Sequence, residues 1–456
     1  MKQPTGFRIG KRFEIASGLR SFFRSGKIVP GAERAAAIDI GGWDRHPMKP
    51  MLLSLMMLIM ITPGMARCAP LPDPLITGER EKVTSIAQWQ EKRRPEILEL
   101  FRENVYGRAP IERPDSLRFD IMQIDKAAMN GRATLKLINI CFPGPRGEGK
   151  ITLVLFIPND AVKPAPGFIL ICHRHRNNID PTREDQSPFW PAERIVARGY
   201  MAAAFHTSDV APDMPGLFHE SVHRIFGADD DDRASDTWGA IAAWGWGASR
   251  AMDYFMTDQD IDHQRIAVVG HSRGGKAALW CGAEDERFAL VVGNNSGCTG
   301  AALARRKSGE RVADINKRFP HWFSANYHQF NRRERRLPVD QHQLIALMAP
   351  RLVYVASASR DAWADPQGEF LACVHAAPVY QLFGLQGLET NELPKAGRPL
   401  HAGHIGYHLR KGRHNLTEYD WDRFMDFADR HWMPGQHTPR GDCPTAQHDP
   451  TDEDRR

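Results

Sequence analysis

A hydroxyl becomes a nucleophile when an imidazole accepts its proton and a carboxylate holds that imidazole in the right tautomer. The stretch RIAVVGHSRGGKAAL, residues 265–279, offers the hydroxyl: Ser272 stands two residues from Gly270 and two from Gly274. The apolar run RIAVV before it reads as a strand and GKAALW after it as a helix. In that context G-x-S-x-G predicts a sharp strand-to-helix turn that strains the serine and exposes its hydroxyl. The next backbone N–H is then placed to stabilise an oxyanion. Ser272 is the candidate nucleophile.

In such an arrangement the acid follows the serine along the chain, and the base follows the acid. Asp361 in RLVYVASASRDAWADP comes within three residues of a predicted strand, and Asp365 comes four later. A carboxylate just past a strand end projects into the crevice where open sheets do their chemistry. Asp361 is therefore the candidate acid, and Asp365 is expected to cap the loop, with the choice between them left open. For the base, GYHLRKGRHNLTEYDW offers His408 and His414. His414 falls in a glycine-containing turn between a strand and the last helix and is the candidate base. His408 lies within the strand and is expected to be structural. His173 and His175 in ICHRHRNNID would project from one side of an extended segment, but RNNID supplies no further ligands at the spacing a hydrolytic metal cluster needs. No metal and no cofactor are expected.

The elements that must carry these residues read as follows. Ser85 to Tyr106 has a helical rhythm, with Pro95 expected to break it. LRFDIMQI, RATLKLINICF, KITLVLFIP and GFILICH read as strands, the first ones as antiparallel hairpins. Beyond Cys172, apolar strands alternate with helical runs up to DWDRFMDFADRHW. That alternation predicts an α/β fold, a three-layer sandwich with a mostly parallel central sheet and antiparallel N-terminal strands, over residues 70–435. Residues 436–456 lack any apolar period and are expected to be a disordered tail.

The net charge of +5 does not point to nucleic acid, because residues 1–66 hold ten Lys/Arg against four Asp/Glu and the rest of the chain is nearly neutral. Residues 48–66 have the three parts of a secretory signal: Lys49, an apolar run from Met51 to Ile61, and small residues at Gly64 and Ala66. The run is too short to span a bilayer comfortably. Residues 1–47 would then be a disordered upstream extension, and the mature protein would be periplasmic or secreted with no stable membrane span. Seven cysteines without CxxC spacing imply neither a zinc site nor a disulfide framework, although an exported protein leaves a bridge open.

Several segments together resemble a family. WGAIAAWGWGASRAMDY, GHSRGGKAALWCGAEDERFALVVGNNSGC, RRKSGE, FPHWF, DAWADPQGEF and GYHLRKGRHNLTEYDW are similar to the bacterial branch of the glucuronoyl esterases, carbohydrate esterase family 15, from about Pro70 to Trp432. The resemblance implies an α/β-hydrolase that cleaves the ester between a (4-O-methyl-)glucuronic acid branch of xylan and a lignin alcohol. It implies that Arg273 helps hold the oxyanion, that Lys276 and Glu310 bond the hydroxyls of the uronic acid, and that Trp363 lines the sugar pocket. Fungal members carry a glutamate acid where Asn295 stands here. An amide cannot stabilise an imidazolium by charge, so the acid falls to Asp361, the position that part of the bacterial branch uses. The fungal disulfide beside the elbow is also absent, its positions being His271 and Arg413, and ICHRHRNNID departs from the family's usual segment.

The expected partner is a glucuronoxylan or lignin–carbohydrate ester, met by a monomer that binds no nucleic acid. An acetylxylan-type esterase with the same triad, and a non-catalytic exported carbohydrate-binding protein, are the rival readings. A fluorophosphonate that labels only an activated serine separates the last from the others.

Overall fold

In the computed structural model the described residues are 70–227 and 233–432. The expected upstream extension, signal peptide and tail lie outside them, as do Cys68 and Cys443.

Nine strands form one sheet: β1 (Arg118–Ala128), β2 (Ala133–Gly144), β3 (Gly147–Pro158), β4 (Ala165–Cys172), β5 (Met201–His206), β6 (Ile261–His271), β7 (Leu290–Asn294), β8 (Leu352–Ala358) and β9 (Ile405–Arg410). Their order across the sheet is β1-β2-β3-β5-β4-β6-β7-β8-β9. The first three pair antiparallel, and β3 joins β5 antiparallel. From β5 to β9 every pair is parallel.

The period of two along each central strand distributes its apolar residues between two cores. On β6, Ile266 and Val268 join the layer containing the helices Ala240–Phe255 and Arg273–Glu284, whereas Ala267 and Val269 join the layer containing Trp421 and Phe424 of the helix Glu418–Trp432. The result is the expected three-layer α/β sandwich. Edge strand β1, covered less, leaves Ile121, Met122 and Ile124 exposed.

Pro95 does not break the N-terminal helical segment. Ser85 and Gln88 form a capping box, and helical backbone continues from there to Tyr106. A π-helical turn, Trp89–Arg93, precedes Pro95, which occupies the first turn of the helix Arg94–Phe101. A proline there gives up an N–H that the widened turn does not use, so no interior bond is lost. Cys141, Cys172, Cys281, Cys298 and Cys373 carry free thiols. No helix among the described residues is long and apolar enough to cross a membrane.

Candidate active site

Parallel strands aligned side by side deliver their C-terminal ends to one edge of the sheet. The ends of β6, β7, β8 and β9 lead to Ser272, Asn295, Asp361 and His414 respectively.

Ser272 lies between β6 and the helix Arg273–Glu284 with φ +54° and ψ −122°, a conformation that L residues rarely adopt. Its N–H donates to the Asn294 carbonyl at 2.9 Å, and its own carbonyl accepts from Lys276 N–H at 3.1 Å. The flanking glycines are steric requirements. A Cβ on Gly270 would stand 1.9 Å from the Gly274 carbonyl oxygen, and one on Gly274 would stand 2.9 Å from that of Ile171. The first N–H groups of the helix that begins at Arg273 have no intrahelical acceptor, which suits them to a developing anion.

His414 Nδ1 donates to Asp361 Oδ2 at 2.6 Å. The same oxygen accepts from the Asn295 side-chain amide at 2.8 Å, and Oδ1 accepts from Ala364 N–H at 3.3 Å. Burial pushes the Asp361 carboxyl up, but the hydrogen bond and charge of His414, with the Asn295 amide, outweigh it and hold the group below the usual carboxylate range. Asn295, which sequence reasoning treated only as a departure, thus orients the Asp361 carboxylate. Asp365 is committed elsewhere, to Arg306 at 2.9 Å.

His414 packs on the His271 ring, centroids 4.5 Å apart, and His271 stacks in turn near His173 at 5.9 Å. Burial holds His271 well below the ordinary histidine value, helped by the neighbouring His414 and Arg174, so the ring next to His414 is neutral. Its Nδ1 meets Asn294 Oδ1 at 2.6 Å. His175 is turned away to a different task, accepting from Asn177 N–H at 3.3 Å. Among the described residues no group of three His, Cys, Asp or Glu side chains is placed to share a metal ion.

Arg273 extends along a wall of the site, its guanidinium paired with Asp213 and lying 4.9 Å from the Trp322 ring centroid and 5.1 Å from that of Phe319. Asp213 also bonds His321 at 3.0 Å and the Trp322 indole at 2.7 Å. Burial pushes the Asp213 carboxyl up, but these partners overcome it and keep the group ionised well below the usual range. The sequence contains no local signal for Asp213; it lies 60 positions from Arg273.

Lys276, Glu310 and Trp363 come together as a second cluster. Lys276 Nζ donates to the Ser296 carbonyl at 2.7 Å, the Cys298 carbonyl at 2.6 Å and Glu310 Oε2 at 2.9 Å. An ammonium has three hydrogens, and all three are used. Glu310 Oε1 accepts from the Trp363 indole at 3.3 Å, and Glu310 N–H donates to the Trp363 carbonyl at 2.7 Å. Trp363 is 48% exposed, uncommon for so large an apolar side chain.

The strand order, the strained elbow serine and the residues at successive strand ends define an α/β-hydrolase. Comparison with known proteins narrows the class. The family model described as glucuronyl esterase of fungi matches residues 196–384. A carbohydrate esterase from an unknown prokaryotic organism is 40% identical over 392 residues, covering 80% of this chain and 90% of that one. The solved glucuronoyl esterase from Solibacter usitatus is 39% identical with a TM-score of 0.75, covering 80% of this chain and 98% of that one. A promiscuous CE15 esterase from the marine bacterial metagenome is also 39% identical, with a TM-score of 0.73, covering 79% and 97%. The chain belongs to the glucuronoyl esterases, carbohydrate esterase family 15, and is a carboxylic ester hydrolase.

Proposed function

We propose that this protein is an exported serine esterase that hydrolyses esters of (4-O-methyl-)glucuronic acid in lignin–carbohydrate linkages of glucuronoxylan, acting as a monomer through Ser272, His414 and Asp361. The observation that carries this reading is the 2.6 Å hydrogen bond from His414 to Asp361, with the His414 ring packed 4.5 Å from that of His271, the residue before the strained elbow serine.

Ser272 Oγ attacks the ester carbonyl while His414 Nε2 takes its proton, and Asp361 stabilises the imidazolium that forms. The oxyanion of the tetrahedral intermediate is held by the N–H groups at the start of the helix and by Arg273. His414 then returns the proton to the departing alcohol. Water, activated by the same imidazole, releases the uronate from the serine.

Glu310 and Trp363 supply what a sugar ring needs, an acceptor for hydroxyls and an aromatic plane. Lys276 can bond a hydroxyl only by exchanging one of its three present acceptors, so in the free enzyme its work is to aim Glu310. Such polymeric esters lie outside the cell, in keeping with the signal-like segment 48–66.

The same serine, imidazole and carboxylate would serve a second substrate class, acetyl esters of xylan. Initial rates on methyl glucuronate and on acetylated xylan, for wild type and Glu310→Gln, decide between them. Glucuronate turnover that exceeds acetyl release and falls about tenfold or more in Glu310→Gln supports the uronate reading. Acetyl release that predominates and is indifferent to Glu310 contradicts it.

A further inference from the structure

His414 lies in the turn 411–417, between β9 and the helix Glu418–Trp432, and its side chain is 40% exposed. Leu416 ties one side of this turn into the apolar core, but Lys411, Arg413 and His414 are exposed, and a general base must stay within a fraction of an ångström of its working position. The turn is gripped from beneath by one guanidinium. Arg410, the last residue of β9, donates from Nη2 to the Arg413 carbonyl and to the Asn415 carbonyl, each at 2.9 Å. These are the residues immediately before and after His414. Nη1 donates to the Lys411 carbonyl at 3.2 Å.

The grip is anchored. Arg410 Nε meets both oxygens of Asp420 at 3.1 Å. Asp420 is fully buried and also accepts from the Thr417 N–H at 2.8 Å and hydroxyl at 2.7 Å, closing the far end of the turn. His408 Nε2 completes its shell at 2.9 Å, and His408 Nδ1 meets the Tyr354 hydroxyl at 3.0 Å. The backbone extends this frame to the acid: Ser359 N–H donates to the Arg410 carbonyl at 2.8 Å and Arg360 N–H to that of Gly412 at 2.9 Å, just before Asp361.

We propose that Arg410, held by Asp420, is the positioning residue for the base: it fixes the peptide units on either side of His414 and so sets the reach of the imidazole between Asp361 and Ser272. Arg410 is buried and makes its bonds to backbone carbonyls, so it acts through His414 and touches no substrate. The planar fork explains the residue type. A lysine in its place retains the charge for Asp420 but presents a single point and cannot span three carbonyls and a carboxylate at once.

The proposal rests on the reading of His414 as the base, and the test separates the two. Steady-state kinetics on benzyl glucuronate, thermal melts and fluorophosphonate labelling of Ser272 are measured for wild type, Arg410→Lys and Gly412→Ala. Gly412→Ala leaves the buried pair in place, but its Cβ would stand 2.7 Å from Arg410 Nη1 at a φ of +125°. Arg410→Lys is expected to melt cooperatively, to keep KM within about twofold, and to lose about 100-fold in kcat and in labelling rate, the usual cost of misplacing a catalytic group by about 1 Å. Gly412→Ala is expected to show the same split between kcat and KM, and decides the matter if Arg410→Lys does not fold. Wild-type kcat in either folded variant overturns the proposal, and so does a loss shared equally by kcat and KM together with a broadened melt, the mark of general loosening. If wild type itself neither turns over the ester nor labels at Ser272, the reading of the site fails and the proposal with it.

Discussion

Two histidines six positions apart, one on β9 and one in the turn that follows it, are each paired with an aspartate. His414 bonds Asp361 at 2.6 Å, and His408 bonds Asp420 at 2.9 Å. By pairing alone the two are nearly indistinguishable. They differ in what happens at the second ring nitrogen. His408 is fully buried with Tyr354 on that nitrogen, whereas His414 is 40% exposed and among the described residues only its Nδ1 has a protein partner. An imidazole–carboxylate pair becomes a base when its other nitrogen is open to a reactant. The same pair becomes a structural strut when both nitrogens are spent.

The carboxylates differ for a related reason. Burial pushes Asp420 up, but the His408 hydrogen bond and the Arg410 charge reverse the shift and hold it below the usual range. Glu369 is equally buried but faces only neutral donors, the Ser357 hydroxyl at 2.6 Å, Gly297 N–H at 2.9 Å and the Ser296 hydroxyl at 3.2 Å. With Asp361 also nearby, its carboxyl is pushed up to about 8 by burial first and then by that charge. A buried carboxylate stays ionised where a cation meets it and keeps its proton where none does.

The comparison breaks first at Asp361. Asp361→Asn is expected to lower kcat on benzyl glucuronate by about 10⁴-fold, the effect of leaving the base in the wrong tautomer. Asp365→Asn, which loses only an ion pair with Arg306, is expected to stay within about tenfold. Equal losses would mean that the 2.6 Å contact is no better a guide to catalysis than the 2.9 Å one. Arg273→Ala leaves both pairs untouched but removes the cation that faces Asp213, and is expected to lose about 10²- to 10³-fold in kcat while still melting cooperatively, at a lower Tm; a variant with wild-type kcat would remove Arg273 from the oxyanion reading.

The smallest effect sharpens the contrast between buried carboxyls. Glu369 binds a proton in the folded state that the unfolded chain releases at its ordinary value of 4.5, so wild type loses stability as pH rises from about 4.5 to about 8. Glu369→Gln has no such proton to lose. Its Tm relative to wild type should therefore climb by a few degrees between pH 5 and pH 8. A difference that is flat with pH would show that Glu369 is ionised in the folded protein.

Much of the proposed site was legible because its signals are local. The elbow is a five-residue pattern between a strand and a helix, and Asp361 and His414 stand just past strands recognised by their apolar runs. His408 was separable from His414 for the same reason, since it falls inside a strand. The holders of these residues were not legible. Asp213 for Arg273, Asn295 for Asp361 and Arg410 for the His414 turn are chosen by tertiary neighbours, and no spacing rule links a buried arginine to the carbonyls it will meet. Pro95 was misread because a rule for α-helices takes no account of a π-turn preceding the proline. Lys276 was matched to the substrate by resemblance, yet its three hydrogens already have acceptors inside the protein.

The central claim is that His414, and not His408, is the base for Ser272. The most direct measurement is kcat/KM on benzyl glucuronate for His414→Gln and His408→Gln side by side, with a thermal melt of each. His414→Gln should fall by at least ~10³-fold with little change in Tm, while His408→Gln should remain within about tenfold of wild type and melt lower. Activity retained in His414→Gln and lost in a stably folded His408→Gln would contradict it.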